Sequence, residues 1–381
     1  MRIHEAPKLG LIAGEASGDL LGAHFIQALK QRHPDLTAAG IAGPRLVDAG
    51  VTALYPSDKL AVNGYVEVLA HLPELLWIRS RITRHFLRER PRVFVGIDAP
   101  DFNFTLEAKL KAAGIPTVHF VSPSIWAWRP ERIHKIRQAV SHMLVVFPFE
   151  EAIYREAGIP VTYVGHPLAD VIPLEPDTVA ARAGLGLQAG PVIALLPGSR
   201  VSEVKRHARL MLDAARLIHE RHPDAQFVLP AAGTAVAALI EQARAGRDLP
   251  LTVLTGQSHT ALAACDVALV ASGTATLETM LFKKPMVITY RVPALTARLM
   301  RKKALLPWIG LPNILGRDFV VPERVQEDAT PENLAADALA WLDDAPRRKA
   351  LAERFRAMHA SLRQNAAVRI AEALAPYLEG A

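Results

Sequence analysis

The 381-residue sequence contains one cysteine, Cys265. A lone cysteine forms no intrachain disulfide, which fits a reducing compartment. Cys265 lies in the apolar run ALAACDVALVA and reads as a small buried residue rather than a nucleophile. No run approaches the roughly 20 apolar residues of a membrane-spanning helix, and the N-terminal MRIHEAPKLGLIAG lacks the long apolar core of a signal peptide. The motif D-x-D does not occur, and no Cys/His cluster has ligand spacing, so no metal is expected. The first Gly-containing turn has neither G-x-G-x-x-G spacing nor a P-loop lysine, which argues against a dinucleotide or ATP. No cofactor is expected. Short repeats and low-complexity tracts are also missing.

What is present is ample core material and a positive charge. Hydrophobic residues make up 50% and charged residues 22%, with a net charge of +6. The charge points to an anionic partner: membrane, phosphate or nucleic acid. The basic residues lack interleaved aromatics and no nucleic-acid motif is found, so nucleic acid is not expected.

Strand-like runs alternate with amphipathic helices almost throughout. Lys8–Ala13, Val93–Ile97, Thr117–Val121, Met143–Val146 and Thr162–Val164 read as strands of a first half. A Pro- and acid-containing stretch, Pro167–Asp177, reads as a linker. Val192–Leu196, Gln226–Leu229, Leu251–Leu254, Val267–Ala271 and Met286–Tyr290 are the strands of a second half, and the chain is helical from Pro331 onward. This alternation predicts an α/β protein with two doubly wound Rossmann-like domains, at 1–168 and 177–345, and a helical tail at 346–381. Substrates of such a pair are expected at the carboxyl ends of the strands, in a cleft between the domains.

The turns at those strand ends carry the candidate chemistry. Val267–Ala271 runs into Ser272-Gly273-Thr274 and a helix containing Glu278; Val192–Leu196 runs into Pro197-Gly198-Ser199-Arg200 and a long helix. A small-residue turn at a helix N-terminus suits a phosphate. Arg200 adds a fixed charge, Ser199 suits a helix cap equally well, and Glu278, one turn in, suits either a ribose or plain solvent at an ordinary βα turn. Two such turns in one domain point to a nucleoside diphosphate. In the first half, Gly14-Glu15-Ala16-Ser17-Gly18-Asp19 opens a helix, with Ser17 and Asp19 also suited to capping it. Asp98 ends the strand Val93–Ile97 and faces the expected cleft, while Asp101 reads as a helix cap. Trp126 and Trp128 suit either a sugar or acyl pocket or core packing. His166, in Gly165-His166-Pro167, suits either substrate contact or a structural role. Val62–Ile78, which includes Val66, Leu69, Leu72, Leu76 and Trp77, is densely apolar, is broken by Pro73, and is followed by Arg79, Arg81, Arg84, Arg88 and Arg90. It reads either as a docking surface for an anionic bilayer or as a buried helix pair.

Taken in order, GEASGD (14–19), GIDAPDFN (96–103), SPSIWAW (122–128), GHP (165–167), LLPGSR (195–200), SGTATLE (272–278) and LPNIL (311–315) resemble the lipid-A-disaccharide synthase family across nearly the whole chain. The resemblance implies a metal-independent, inverting glycosyltransferase of the two-domain B architecture. The implied donor is UDP-2,3-diacylglucosamine and the implied acceptor 2,3-diacylglucosamine 1-phosphate (lipid X). It implies action at the cytoplasmic face of the inner membrane of Gram-negative bacteria. The implied assembly is a homodimer whose C-terminal segments are exchanged, or otherwise packed on the N-terminal domain. On this reading Gly198, Ser199, Arg200, Gly273, Thr274, Glu278 and Asn313 hold the donor. Glu15, Ser17 and His166 line the acceptor side, and Asp98 is the general base, with Glu15 and His119 as alternatives.

Overall fold

The computed structural model describes residues 8–14, 16–60 and 65–379; the side chains at 16, 17 and 65–70 lie outside that description. The chain divides into two units, Met1–Asp170 with Leu362–Ala381, and Val171–Ser361.

Among the described residues, the first unit holds seven parallel strands: β1 (Lys8–Ala13), β2 (Thr37–Ala42), β3 (Val51–Pro56), β4 (Val93–Ile97), β5 (Thr117–Phe120), β6 (His142–Val145) and β7 (Val161–Tyr163). Their order is β3-β2-β1-β4-β5-β6-β7. The chain winds one way from β1 and the other way from β4, so the switch point lies between those two strands. Every residue of β4 is buried, as a strand covered by helices on both faces requires. Ile12, Phe94, Leu106, Leu110, Ile78, Ile82 and Phe86 pack into one core cluster.

The second unit holds β8 (Val192–Leu196), β9 (Gln226–Ala231), β10 (Leu251–Thr255), β11 (Val267–Ala271), β12 (Met286–Tyr290) and β13 (Glu323–Val325), ordered β10-β9-β8-β11-β12-β13 and parallel. Its switch point lies between β8 and β11. The long helix Val201–Arg221 buries Val204, Ala208, Met211, Leu212, Ala215 and Ile218, a stripe spaced by three and four that faces the core.

Several local features differ from the sequence expectation. Tyr65–Glu89 is one continuous helix with Pro73 inside it. A mid-helix proline costs about 3 kcal/mol, but Ile78, Ile82 and Phe86 anchor the following turns in the core. Stretch 167–177 begins with the helix Pro167–Val171, and the unit boundary falls within it. The first helix starts at Ala16, which puts Asp19 inside it. Asp19 instead accepts hydrogen bonds from Gly43 N, Arg45 N and Leu46 N at 2.7, 3.0 and 3.2 Å, so it caps the next helix, Pro44–Asp48.

At the C-terminus, the helix Ala366–Glu379 packs on the helix Ala16–Arg32 of the first unit. Asp170 holds its start by accepting from Asn365 N at 2.9 Å and Ala366 N at 2.7 Å. No helix among the described residues is long and apolar enough to cross a membrane.

Candidate active site

In the second unit, both turns singled out in the sequence flank the β8/β11 switch point. Gly198 follows β8 with φ +117°, a conformation that favours glycine, and a Cβ there would stand 2.5 Å from Glu203 Oε2. Glu203 sits three residues into the helix and accepts from Arg200 N at 3.3 Å. Its other oxygen lies 3.8 Å from Arg200 Nη1, so one carboxylate orients both ends of Arg200. Ser199 and Arg200 are exposed.

Gly273 follows β11 with φ +151°, and a Cβ built on it meets nothing within 4 Å. Gly273 and Thr274 are exposed at the start of the helix Thr274–Leu281, where the first N–H groups lack intrahelical partners. Glu278 Oε1 lies 3.0 Å from His259 Nε2, so the acid one turn in has a fixed orientation. A third turn of the same kind, Ala232-Gly233-Thr234 after β9, was missed in the sequence, although LPAAGT carries the same small-residue signal.

Asn313 is expected from the sequence to hold the donor. It is fully buried; Nδ2 donates to Val321 O and Glu323 Oε1, both at 2.9 Å, and Oδ1 accepts from Val321 N at 2.9 Å. With both amide hydrogens engaged, its part is to hold Glu323. That carboxylate in turn accepts from Ile309 N at 3.0 Å and Gly310 N at 2.9 Å.

In the first unit, the turns after β1 and β4 meet at the other switch point. A Cβ on Gly14 would stand 2.6 Å from Ala99 Cβ, so only glycine lets the two turns close on each other. Asp98 and Ala99 have φ of +50° and +44°, a left-handed pair that costs roughly 1–3 kcal/mol per residue. Asp98 N donates to Phe120 O at 2.9 Å and Asn103 Nδ2 donates to Asp98 O at 2.8 Å, which pins this backbone from two sides. Asp98 is half-buried. Asp101 points away to Arg132, at 2.5 Å. Glu15 lies outside the described residues; Ser17 lies in the first turn of its helix, with its side chain outside them.

His119, in β5, is fully buried with Nδ1 2.8 Å from Glu107 Oε1, which removes it as a base acting directly on a substrate. Val121 follows β5 with φ +74°, an outlier for a β-branched residue. Beyond it, Trp126 Nε1 and Phe147 N donate to the two oxygens of Glu150, at 3.1 and 3.0 Å. Burial pushes the Glu150 carboxyl up to about 7 against those two hydrogen bonds. His166 Nδ1 accepts from Leu168 N at 3.2 Å, so the neutral ring carries its proton on Nε2. Burial pushes its pKa down to about 4. Glu150 was not visible as special in the sequence; its signal was only an acid beside an apolar FPF triplet. Trp128 is exposed, with the Arg129 guanidinium 4.1 Å over its ring.

Leu72, Leu76 and Trp77 are 40%, 45% and 51% exposed on the helix Tyr65–Glu89. Val66 and Leu69 lie on the same helix, with side chains outside the described residues. A second exposed apolar group, Leu295, Leu299, Met300 and Leu305, lies among Arg298, Arg301, Lys302 and Lys303 in the second unit. Cys265 is buried, and burial raises its thiol to about 11, which fits a packing role. Among the described residues, no group of three or more His, Cys, Asp or Glu side chains could hold a metal ion.

A family model described as lipid-A-disaccharide synthetase matches residues 9–375. The lipid-A-disaccharide synthase of Thiobacillus denitrificans is 78% identical over 371 residues, which cover 97% of this chain and 100% of the relative. That of Methylobacillus flagellatus is 52% identical over 377 residues, covering 98% and 100%. The UDP-GlcNAc 2-epimerase from Neisseria meningitidis, solved bound to UDP-GlcNAc, superposes with a TM-score of 0.65 over 97% of this chain and 99% of that one. Its identity is 13%, so this likeness is one of fold alone: two Rossmann-like units of the glycosyltransferase B type. With such identity held over nearly the full length of both relatives, the chain belongs to the lipid-A-disaccharide synthase family and is a glycosyltransferase of lipid A biosynthesis.

Proposed function

We propose that this enzyme transfers 2,3-diacylglucosamine from UDP-2,3-diacylglucosamine to carbon-6 oxygen of 2,3-diacylglucosamine 1-phosphate, giving a β-1′,6-linked disaccharide 1-phosphate and UDP. The observation that carries the reading is the placement of Asp98. It sits at the carboxyl end of β4, beside the switch point, in a left-handed turn held from both sides. Asp98 takes the proton of the acceptor 6-hydroxyl. The oxygen attacks the donor anomeric carbon, the bond from that carbon to the UDP oxygen breaks on the opposite face, and the configuration inverts. A positioned carboxylate is a competent general base for this step.

The departing diphosphate needs charge stabilisation. Arg200, oriented by Glu203, and the helix N-termini after Gly198-Ser199 and Gly273-Thr274 supply it without a metal. Glu278, oriented by His259, accepts from the ribose hydroxyls. Asn313 acts indirectly, through Glu323 and the 309–310 backbone. Glu15, Ser17 and His166 belong to the acceptor side, where neutral His166 offers Nε2–H as a donor. Leu72, Leu76 and Trp77, with Val66 and Leu69, dock on the anionic cytoplasmic face of the inner membrane, where both lipid substrates reside. The working assembly is a homodimer in which helix Ala366–Glu379 exchanges between copies.

Release of UDP from UDP-2,3-diacylglucosamine, assayed in excess EDTA, tests the reading. It is expected to depend on added lipid X. UDP release indifferent to lipid X, epimerisation of UDP-N-acetylglucosamine instead, or activity that returns only with Mg²⁺ or Mn²⁺ would each count against it.

A further inference from the structure

One buried polar group beneath the Asp98 turn has no part in the chemistry above. Glu107 and His119 are both fully buried and joined at 2.8 Å. Glu107 comes from the helix Pro100–Ala112 and His119 from β5, and they meet over β4 at Gly96. A Cβ there would stand 2.0 Å from Glu107 Oε1, 3.1 Å from His119 Nδ1 and 3.2 Å from Asn103 Cβ. Gly96 is therefore the gap in the strand that admits the pair. Asn103, one helical turn before Glu107 on the same face, is also fully buried and is the residue that donates to Asp98 O.

The pair is poorly explained as a source of stability. Glu107 Oε2, His119 Nε2 and Asn103 Oδ1 are buried with no hydrogen-bond partner among the described residues. The Phe104 ring lies 4.6 Å from the His119 ring, so the surroundings are apolar. Burial pushes the Glu107 carboxyl up, against the pull of His119. Apolar side chains of similar volume would commonly hold such a site at least as well. What the pair adds over an apolar contact is direction. A hydrogen bond fixes the rotation and height of the helix over β4 and β5, and that placement sets where Asn103 meets the strained Asp98-Ala99 turn.

We propose that Glu107 and His119 are positioning residues for Asp98, locking the helix Pro100–Ala112 so that Asn103 holds the Asp98 turn in one geometry. This rests on Asp98 being the base. The test is a double-mutant cycle. The apolar pair Glu107→Met/His119→Leu is made in the wild type and in Asp98→Asn, with kcat, donor KM, UDP affinity and melting temperature measured for each.

In the wild-type background, kcat is expected to fall about 10- to 100-fold, the scale of a small misplacement of a catalytic group. UDP affinity and donor KM stay unchanged, and the melting temperature is not lowered. Glu107→Gln, which keeps a hydrogen bond to His119, recovers most of kcat. In the Asp98→Asn background the apolar pair costs nothing further, because its effect runs through Asp98. A folded apolar pair with wild-type kcat, or an equal loss in both backgrounds, overturns the proposal. If Asp98→Asn alone turns over normally, it is the base assignment that fails. If the apolar pair does not fold, Asn103→Ala serves instead: lowered kcat with intact UDP affinity supports the proposal, and wild-type kcat overturns it.

Discussion

Replacing Glu150 by Gln should remove a pH-dependent part of the stability of the first unit. Glu150 is 1% exposed, and burial raises its carboxyl from about 4.5 to about 7, despite hydrogen bonds from Phe147 N and Trp126 Nε1. The unfolded chain therefore ionises first. The stability tied to the protonated carboxyl is fully present below pH 4.5 and is lost as pH rises through 7. A rise of the carboxyl from 4.5 to about 7 corresponds to about 3 kcal/mol. In a unit of this size each kcal/mol moves the melting temperature by roughly 2–4 °C, so the full effect is roughly 6–12 °C. His166 works in the opposite direction. Its pKa falls from 6.5 to about 4 on burial, so its share is present above 6.5 and is lost as pH falls toward 4. The wild-type profile sums these slopes with those of other shifted groups, Glu107 and His142 among them, whereas the difference between wild type and Glu150→Gln isolates Glu150. The amide also places its NH₂ against one of the two donors, a constant cost of about 1–3 kcal/mol that drops out of the pH difference. Urea or thermal unfolding of both proteins from pH 5 to pH 8 is the assay. The variant is expected to gain on the wild type as pH rises, and a difference that stays flat across this range refutes the reasoning.

Arg200→Ala is expected to weaken UDP binding by about 1.5–3 kcal/mol, the loss of one charged hydrogen-bonding partner, and Glu278→Ala should weaken it similarly; unchanged calorimetric affinity in both would remove the donor-site assignment. Gly198→Ala forces a Cβ to within 2.5 Å of the Glu203 carboxylate at φ +117°. It should destabilise the second unit by about 1–3 kcal/mol and weaken UDP binding; a variant of wild-type stability would show that the turn relaxes freely. Replacing Val66, Leu69, Leu72 and Leu76 by Ser should reduce binding to anionic vesicles with the fold intact, and global unfolding of that protein would instead assign the patch to core packing.

The sheets were legible where strands are runs of branched apolar residues, as in β4 (VFVGI) and β8 (VIALL). β2, reading TAAGIA, and the three-residue β13 carry no such signal, because neighbouring strands and covering helices make them strands rather than their own side chains. The small-residue turns were legible because a helix following an apolar strand needs them. Both sets fall at the switch points, which only the strand order reveals. Asp19 and Glu150 were misread or missed, and the surroundings of Asn313 were hidden, for one shared reason. The partners that satisfy them lie far off in sequence or on backbone atoms: Gly43 for Asp19, Val321 and Glu323 for Asn313, Trp126 for Glu150. Pro73 misled because a local rule about helix breaking was overruled by tertiary packing.

The assignment of Asp98 as general base is tested most directly by steady-state turnover of Asp98→Asn with UDP-2,3-diacylglucosamine and lipid X. Asparagine keeps the shape of the side chain and removes its basicity. A folded protein is expected, with UDP affinity close to wild type and kcat lowered at least about 100-fold, the scale of a positioned base. A folded Asp98→Asn enzyme with near-normal kcat would contradict it and pass the role to Glu15, with Glu15→Gln as the next variant to assay.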